Sequence, residues 1–222
     1  MLSITELFYS VYNKNAEIPK KVRGLDDFPL YFDYRNDGGE EQVRNKKIRR
    51  EGAIMNKNLE IKELTTIDEH IVELSHLLRT VVDDGASIGF LSPMKRSTAV
   101  EFWGHALRPH VILYIAWVEE AIAGTVQLHL CTKQNGTHRA EIAKMMVHPQ
   151  FRQKGIAKKL MQTAEKRAKE EGRTLLILDT VEGAPSNHLY TSLGYVKGGR
   201  IPDYATSPYG ELEATIIYYK HI

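Results

Sequence analysis

The stretch "VHPQFRQKGIAKKLM" (147–161) gathers Arg152, Lys154, Lys158 and Lys159 around one glycine, Gly155. It stands where a strand-like run gives way to a helix-like one. The first amides of a helix have no partner inside it, so its N-terminus attracts an anion. Glycine lets that anion approach the backbone with no Cβ in the way. Arginine can add a bidentate contact to a phosphate. The spacing therefore suits phosphate binding. It equally suits a solvated helix face, because basic residues often open exposed helices. No GxxxxGK[ST] and no GxGxxG after a strand accompanies it, so the common nucleotide fingerprints are missing.

The elements around this loop decide what it holds. "NLEIKEL" (58–64) alternates as an opening strand, with Leu59, Ile61 and Leu64 as its apolar members. Thr66 and Glu69 stand at capping-box spacing. A helix through Ile71, Leu74, Leu78 and Val81 follows. "DDGASIGF" (83–90) reads as a glycine-bearing loop, and Ser92-Pro93 as N-cap and first residue of a second helix reaching about Leu107. Three strand-like runs come next, at 111–118, 124–132 and 139–147. Short turns near Glu119-Glu120 and Asn135-Gly136 make them an antiparallel meander. Cys131, the only cysteine, ends the second run and is expected to pack.

After Pro149 a helix is expected from about Gly155 to Glu171, with Ile156, Leu160, Ala164 and Ala168 as its apolar stripe and Gly172 as its stop. "LLILDT" (175–180) reads as a strand covered on both faces. Strand, helix, strand is a parallel crossover, right-handed by rule. A short helix over 186–193 and further strands, the last in "ATIIYYK", close the chain.

Composition narrows the function classes. With 42% hydrophobic residues in 222, one real core is possible. A net charge of +2 is too small to argue for nucleic acid or membrane binding. No apolar run is long enough to span a bilayer. The opening residues lack a signal-peptide pattern, and a lone cysteine suits a reducing cytoplasm. Nine histidines show no metal-ligand spacing, so no metal site is expected.

Residues 1–54 carry no sustained period and end in the basic "KKIRREG" (46–52), read as a solvated tail. The arginines, glutamate and glycine of "RREGAIM" can all be encoded by purine-rich triplets, which just before a methionine codon is what a ribosome-binding site looks like if the source is bacterial. The expectation is a weakly structured extension over 1–54, largely translated leader, and a folded domain over 55–222. The alternative is an arm docked through Leu30, Tyr31 and Phe32.

A meander followed by a parallel crossover, with Arg152-x-x-Gly155-x-Ala157 at the junction, resembles the acetyl-CoA pyrophosphate loop of the GNAT acetyltransferase superfamily. "LYTSLGY" (189–195) is similar to the family's later segment, in which a tyrosine precedes a Gly-Tyr or Gly-Phe pair. "DDGASIGF", "QNGTHRAEIAKMMVHP", "LLILDT" and "YGELEATIIYYK" resemble stretches of tabtoxin resistance acetyltransferases, over most of 56–220. Many members carry asparagine seven residues and alanine four residues before the tyrosine; here stand Gly183 and Ser186.

The resemblance implies an α/β fold with a mixed, mostly antiparallel sheet, a parallel β-α-β crossover and helices on both faces. It implies acetyl-CoA as co-substrate, bound by the Met145, Met146 and Val147 backbone and by Arg152, Gln153, Lys154, Gly155, Ile156 and Ala157. Tyr190 would lie near the sulfur and give its proton to the departing thiolate. Glu141 and Asp179 become candidate bases for the attacking amine. Ligands of open α/β sheets gather near strand C-termini, which favours Asp179 independently. Asp179 suits a strand-end cap as well, Glu141 an outward strand charge, and Tyr190 a packed helix tyrosine.

Asp83, Asp84 and Ser87 are candidates to bind a cationic substrate, with Trp103 and Tyr204 lining its pocket; for His105 a surface position is favoured. The implied function is N-acetylation of a small-molecule amine, such as an amino-acid-like toxin or antibiotic, by a cytoplasmic monomer or homodimer. The alternatives are a protein or peptide N-acetyltransferase and an acyl-CoA sensor without turnover.

Overall fold

The computed structural model describes residues 59–222. The expectations for residues 1–54 lie outside them. Seven strands form one sheet in the order β1-β2-β3-β4-β5-β7-β6. They are β1 (Leu59–Leu64), β2 (Val111–Val118), β3 (Ala121–Leu130), β4 (Arg139–Val147), β5 (Leu175–Val181), β6 (Val196–Thr206) and β7 (Leu212–His221). The longer helices are α1 (Ile71–Asp83), α2 (Arg96–Gly104) and α3 (Ile156–Glu170), followed by the short α4 (Ser186–Ser192). All neighbouring pairs are antiparallel except β4 and β5.

The apolar run of β2 divides between two cores. Ile112, Tyr114 and Ala116 join Leu128, Leu160 and Leu176 on the α3 side. Leu113 and Ile115 join Leu74, Leu78, Trp103 and Met146 on the α1–α2 side. A strand covered on both faces has no polar alternate positions, which is why "VILYIAWV" shows no period of two. On α3, Ile156, Leu160, Ala164 and Ala168 are buried as their spacing predicts.

Three local expectations need correction. The Thr66–Glu69 spacing caps nothing: Asp68–His70 form a 3-10 turn with no side-chain cap, and α1 begins at Ile71. Asn135-Gly136 does lie in the connection between the antiparallel β3 and β4, but not as a tight positive-φ turn. Gly136 is absent from the positive-φ glycines, and successive turns bond its N–H to Lys133 O (2.8 Å) and its O to Arg139 N–H (3.0 Å). A Cβ there would lie 2.7 Å from Cys131 Sγ. Finally, α2 starts at Arg96 rather than Pro93. Asp83 Oδ1 accepts from Ser92 Oγ and Met94 N–H, both at 3.0 Å, and this holds residues 92–94 outside the helix.

Two features of β4 prepare the site. Its parallel pairing with β5 covers only Arg139↔Leu175, Ala140↔Leu176 and Glu141↔Ile177. Beyond Glu141 the two strands have no paired residues, although β4 runs on to Val147 and β5 to Val181. A bulge also interrupts its pairing with β3: Thr125 faces Met146 while Gln127 faces Ala143. Lys144 takes a left-handed φ of 48° there, and its carbonyl accepts from Thr125 Oγ1 at 3.1 Å. Gly124 is the close-approach position, since a Cβ on it would lie 2.5 Å from Met146 O.

Candidate functional site

The basic loop is assembled from local bonds. His148 caps the 3-10 turn Pro149–Phe151, its Nδ1 accepting from Gln150 N–H at 3.3 Å. Arg152 Nε donates to Val147 O at 3.3 Å, and Lys154 Nζ to Gln150 O at 3.1 Å. Gln153 and Gly155 both have left-handed φ, 61° and 78°. Left-handed turns of this kind gather N–H groups on one side as a nest for anions. Gly155 is the N-cap of α3 with no side chain closing the helix end, and a Cβ on it would meet nothing within 4 Å. The loop is therefore open, cationic and rich in donors, which fits a phosphate group.

A few residues away lies the cleft where β4 leaves β5. Side chains alternate along strands. Leu176 and Leu178 go to the α3-side core, so Ile177 and Asp179 face the other way. Ala140 and Ile142 belong to the same core, so Glu141 shares the face of Asp179. On β3, His129 pairs in register with Glu141. His129 Nε2 donates to Gln127 Oε1 at 2.8 Å.

Asp179 is open to solvent yet flanked by enough protein that desolvation raises its pKa; the Thr215 hydroxyl and the Lys144 charge oppose the rise. Thr215 Oγ1 is placed to donate to Asp179 Oδ2 (3.1 Å) or to Thr180 O (2.9 Å). Tyr204, on β6, has its pKa raised by burial and by the negative charges of Asp179 and Glu141. Tyr190 has its pKa raised well above the phenol range, first by burial and then by Asp179. The charge of Asp179 thus acts on both Tyr190 and Tyr204, and that of Glu141 on Tyr204, while Tyr190 itself packs in the α3-side core.

The Tyr190 ring is buried, 5.9 Å from the ring centres of both Tyr195 and Tyr218. Its helix is fixed by Asn187. The Asn187 amide donates to Val181 O and Ala184 O, both at 2.8 Å, and its Oδ1 accepts from Tyr218 Oη at 2.9 Å. Ser186 and Thr180 add a hydroxyl pair at 2.7 Å.

The substrate-pocket expectations divide. Trp103 is fully buried, with Nε1 donating to Leu74 O at 2.8 Å. It is a core residue and lines no pocket. Asp83 is committed to Ser92 and Met94. Asp84, which is exposed, pairs with Arg152. Ser87 lies half-buried in the same loop. His105 is exposed, its ring at 2.8 Å from Glu101 O. Sequence reasoning missed Lys144, Asn187 and Thr215. The side-by-side placement of Thr215 and Asp179 needs the β5–β7 pairing, which no local pattern signals.

Among the described residues no group of three or more His, Cys, Asp or Glu is arranged to hold a metal ion. No described helix is long and apolar enough to cross a membrane.

A helix-end anion nest beside a strand that has parted from its neighbour defines a site for an extended, phosphate-bearing ligand. Comparison with known proteins specifies the class. The model of the acetyltransferase (GNAT) family matches residues 75–195. An uncharacterized N-acetyltransferase of Azospirillum brasilense, encoded in a hisH-hisA intergenic region, is 30% identical over 125 residues, 55% of this chain and 73% of that protein. YncA of Salmonella typhimurium, solved with its cofactor acetyl-CoA, superposes with a TM-score of 0.63 at 14% identity, over 74% of this chain and 94% of that one. A GCN5-related N-acetyltransferase from Kribbella flavida gives 0.64 at 18% identity, over 75% and 99%. The chain belongs to the GNAT family of acetyltransferases, and the sheet expected from sequence is the family's fold.

Proposed function

We propose that this acetyltransferase moves an acetyl group from acetyl-CoA to a primary amine of a small molecule, an amino-acid-like toxin or antibiotic, in the manner of the tabtoxin resistance enzymes it resembles. The observation that supports this reading is the shared face of Asp179 and Glu141 where β4 leaves β5, with the Gly155 loop following β4. A carboxylate-lined cleft suits a cationic acceptor.

Acetyl-CoA supplies the activated acetyl thioester. The Gln153–Ala157 backbone and Arg152 hold its diphosphate, and the Met145–Val147 backbone its extended arm. A free amine of pKa ~8 to ~10.4 is mostly protonated at neutral pH. It must lose a proton before attack, and a placed carboxylate contributes about 100- to 10,000-fold. Asp179 is the first choice of base, because desolvation raises its pKa toward neutrality. Glu141, on the same face, is the second. Tyr190 stays protonated through the neutral range and carries the proton that the departing thiolate needs.

The single cysteine and small net charge suit a cytoplasmic enzyme, monomer or homodimer, with neither nucleic acid nor membrane as partner. The test is release of free thiol from acetyl-CoA with a panel of amino acids, dipeptides and aminoglycosides. Turnover with a small amine supports the proposal. Turnover with protein or peptide amines alone replaces it with protein acetylation. Acetyl-CoA binding without thiol release toward any amine makes the chain a sensor.

A further inference from the structure

We propose that Lys144 is a positioning residue for the transfer: from the β4 bulge it holds the Asp84–Leu91 loop in place. This rests on the proposed reading of the cleft as the acceptor site.

A left-handed φ is uncommon for a residue with a Cβ, and it persists only where surrounding structure enforces it. At Lys144 the enforcement comes from Thr125, which donates to its carbonyl, and from the extra residue in β4. The side chain leaves this bulge toward the loop after α1. Lys144 Nζ donates to Ile88 O at 2.9 Å, across 56 positions of sequence. The same ammonium lies 5.4 Å from the ring centre of Phe90 and 5.6 Å from that of Phe102. Those rings meet edge to face at 5.3 Å. An ammonium between two aromatic faces and a carbonyl is a well-satisfied cation. It ties α2 and the loop to the strand whose amides face the cofactor.

The test compares Lys144→Met and Lys144→Arg with the unaltered chain. Methionine keeps the bulk and removes the charge. Arginine restores a cation. Limited chymotrypsin digestion, mapped by mass spectrometry, reads the loop. Cleavage after Phe90 and Leu91 is expected to rise severalfold in Lys144→Met and to return toward the original rate in Lys144→Arg. kcat/KM with an accepted amine is expected to fall severalfold in Lys144→Met and to recover in Lys144→Arg. Unchanged cleavage overturns the loop role. A freed loop with unchanged kcat/KM overturns the positioning role. If the unaltered chain acetylates no amine, the functional reading fails, and the digestion pattern still decides whether Lys144 holds the loop.

Discussion

Arg152 Nη1 donates to Asp84 Oδ2, joining the anion loop ahead of α3 to the loop that follows α1. Both side chains are more than two-fifths exposed, 44% and 42%. Such a pair adds at most about 1 kcal/mol to stability. Its effect is orientation, since a second bond to Val147 O fixes the same guanidinium from the strand side. Arg152→Ala is expected to weaken acetyl-CoA by about tenfold or more, as loss of a charge-assisted contact implies. Asp84→Asn is expected to weaken it less, with little change in Tm. Calorimetric titration of both variants checks the order.

Gly155 offers a cleaner probe of the anion site. Its φ of 78° strains any residue that carries a Cβ, but the space around that Cβ is open, so substitution adds no steric clash. Gly155→Glu places a carboxylate where the diphosphate is expected. The variant should stay folded by circular dichroism and lose most of its affinity for acetyl-CoA. A folded variant with unchanged affinity would move the phosphate site elsewhere.

Asp179 carries two linked predictions. Its pKa is raised in the folded chain by desolvation. The folded state thus holds that proton more tightly than the unfolded one, and stability falls as pH rises from the unfolded carboxylate value, ~3.9, through the folded one. Asp179→Asn should raise Tm near neutrality, and the gain should vanish below pH ~3.9. The same substitution should flatten the acid limb of the pH–rate profile. If it does not, Glu141→Gln should.

Tyr190→Phe keeps the packed ring and removes the hydroxyl. Turnover is expected to fall by about 10- to 100-fold, within the range for a lost proton donor, while acetyl-CoA affinity changes little. Because burial and Asp179 raise the Tyr190 pKa above the usual ~10, its ionisation should leave no alkaline limb below that pH. Single-turnover kinetics separates the two parameters.

Trp103 is a test of packing rather than of recognition. It is fully buried against α1, with its indole N–H on Leu74 O. Trp103→Ala should cost about 3–5 kcal/mol of stability, read as a lower urea midpoint. Trp103→Phe, which keeps most of the volume, should leave the acceptor KM close to its original value.

Where the sequence was legible, a single local rule was enough. Helical spacing placed the buried stripe of α3, and the strand ends of β2 and β4 stand where they were expected. The glycine between basic residues marked the loop because the helix start and the missing Cβ act at the same position. What escaped depends on distant partners. The start of α2 is set by Asp83, nine and eleven positions away from its two partners. The burial of Trp103 depends on α1 lying across it. The bulge at Lys144 exists only against β3, so a lysine in a strand-like run carried no sign of left-handed backbone. The family resemblance supplied Tyr190 and both carboxylates, whereas Asn187, which steadies the Tyr190 helix, sits inside the quoted neighbourhood without a pattern to mark it.

The parting of β4 from β5 after Glu141 has a consequence for ligand length. From Ile142 to Val147 the β5 side of the strand has no paired strand among the described residues. A chain-like ligand with amide groups can lie there as an eighth strand would, and a ladder accepts it only in steps of about 3.3 Å per residue. On the binding mode proposed above, with the phosphate end at Gly155, the stretch between Glu141 and Gly155 is a ruler, and depth along β4 fixes which atom arrives at the acidic cleft. One residue inserted into β4 would shift that mark while leaving both ends chemically intact. The bulge at Lys144 is one such extra residue, already built in.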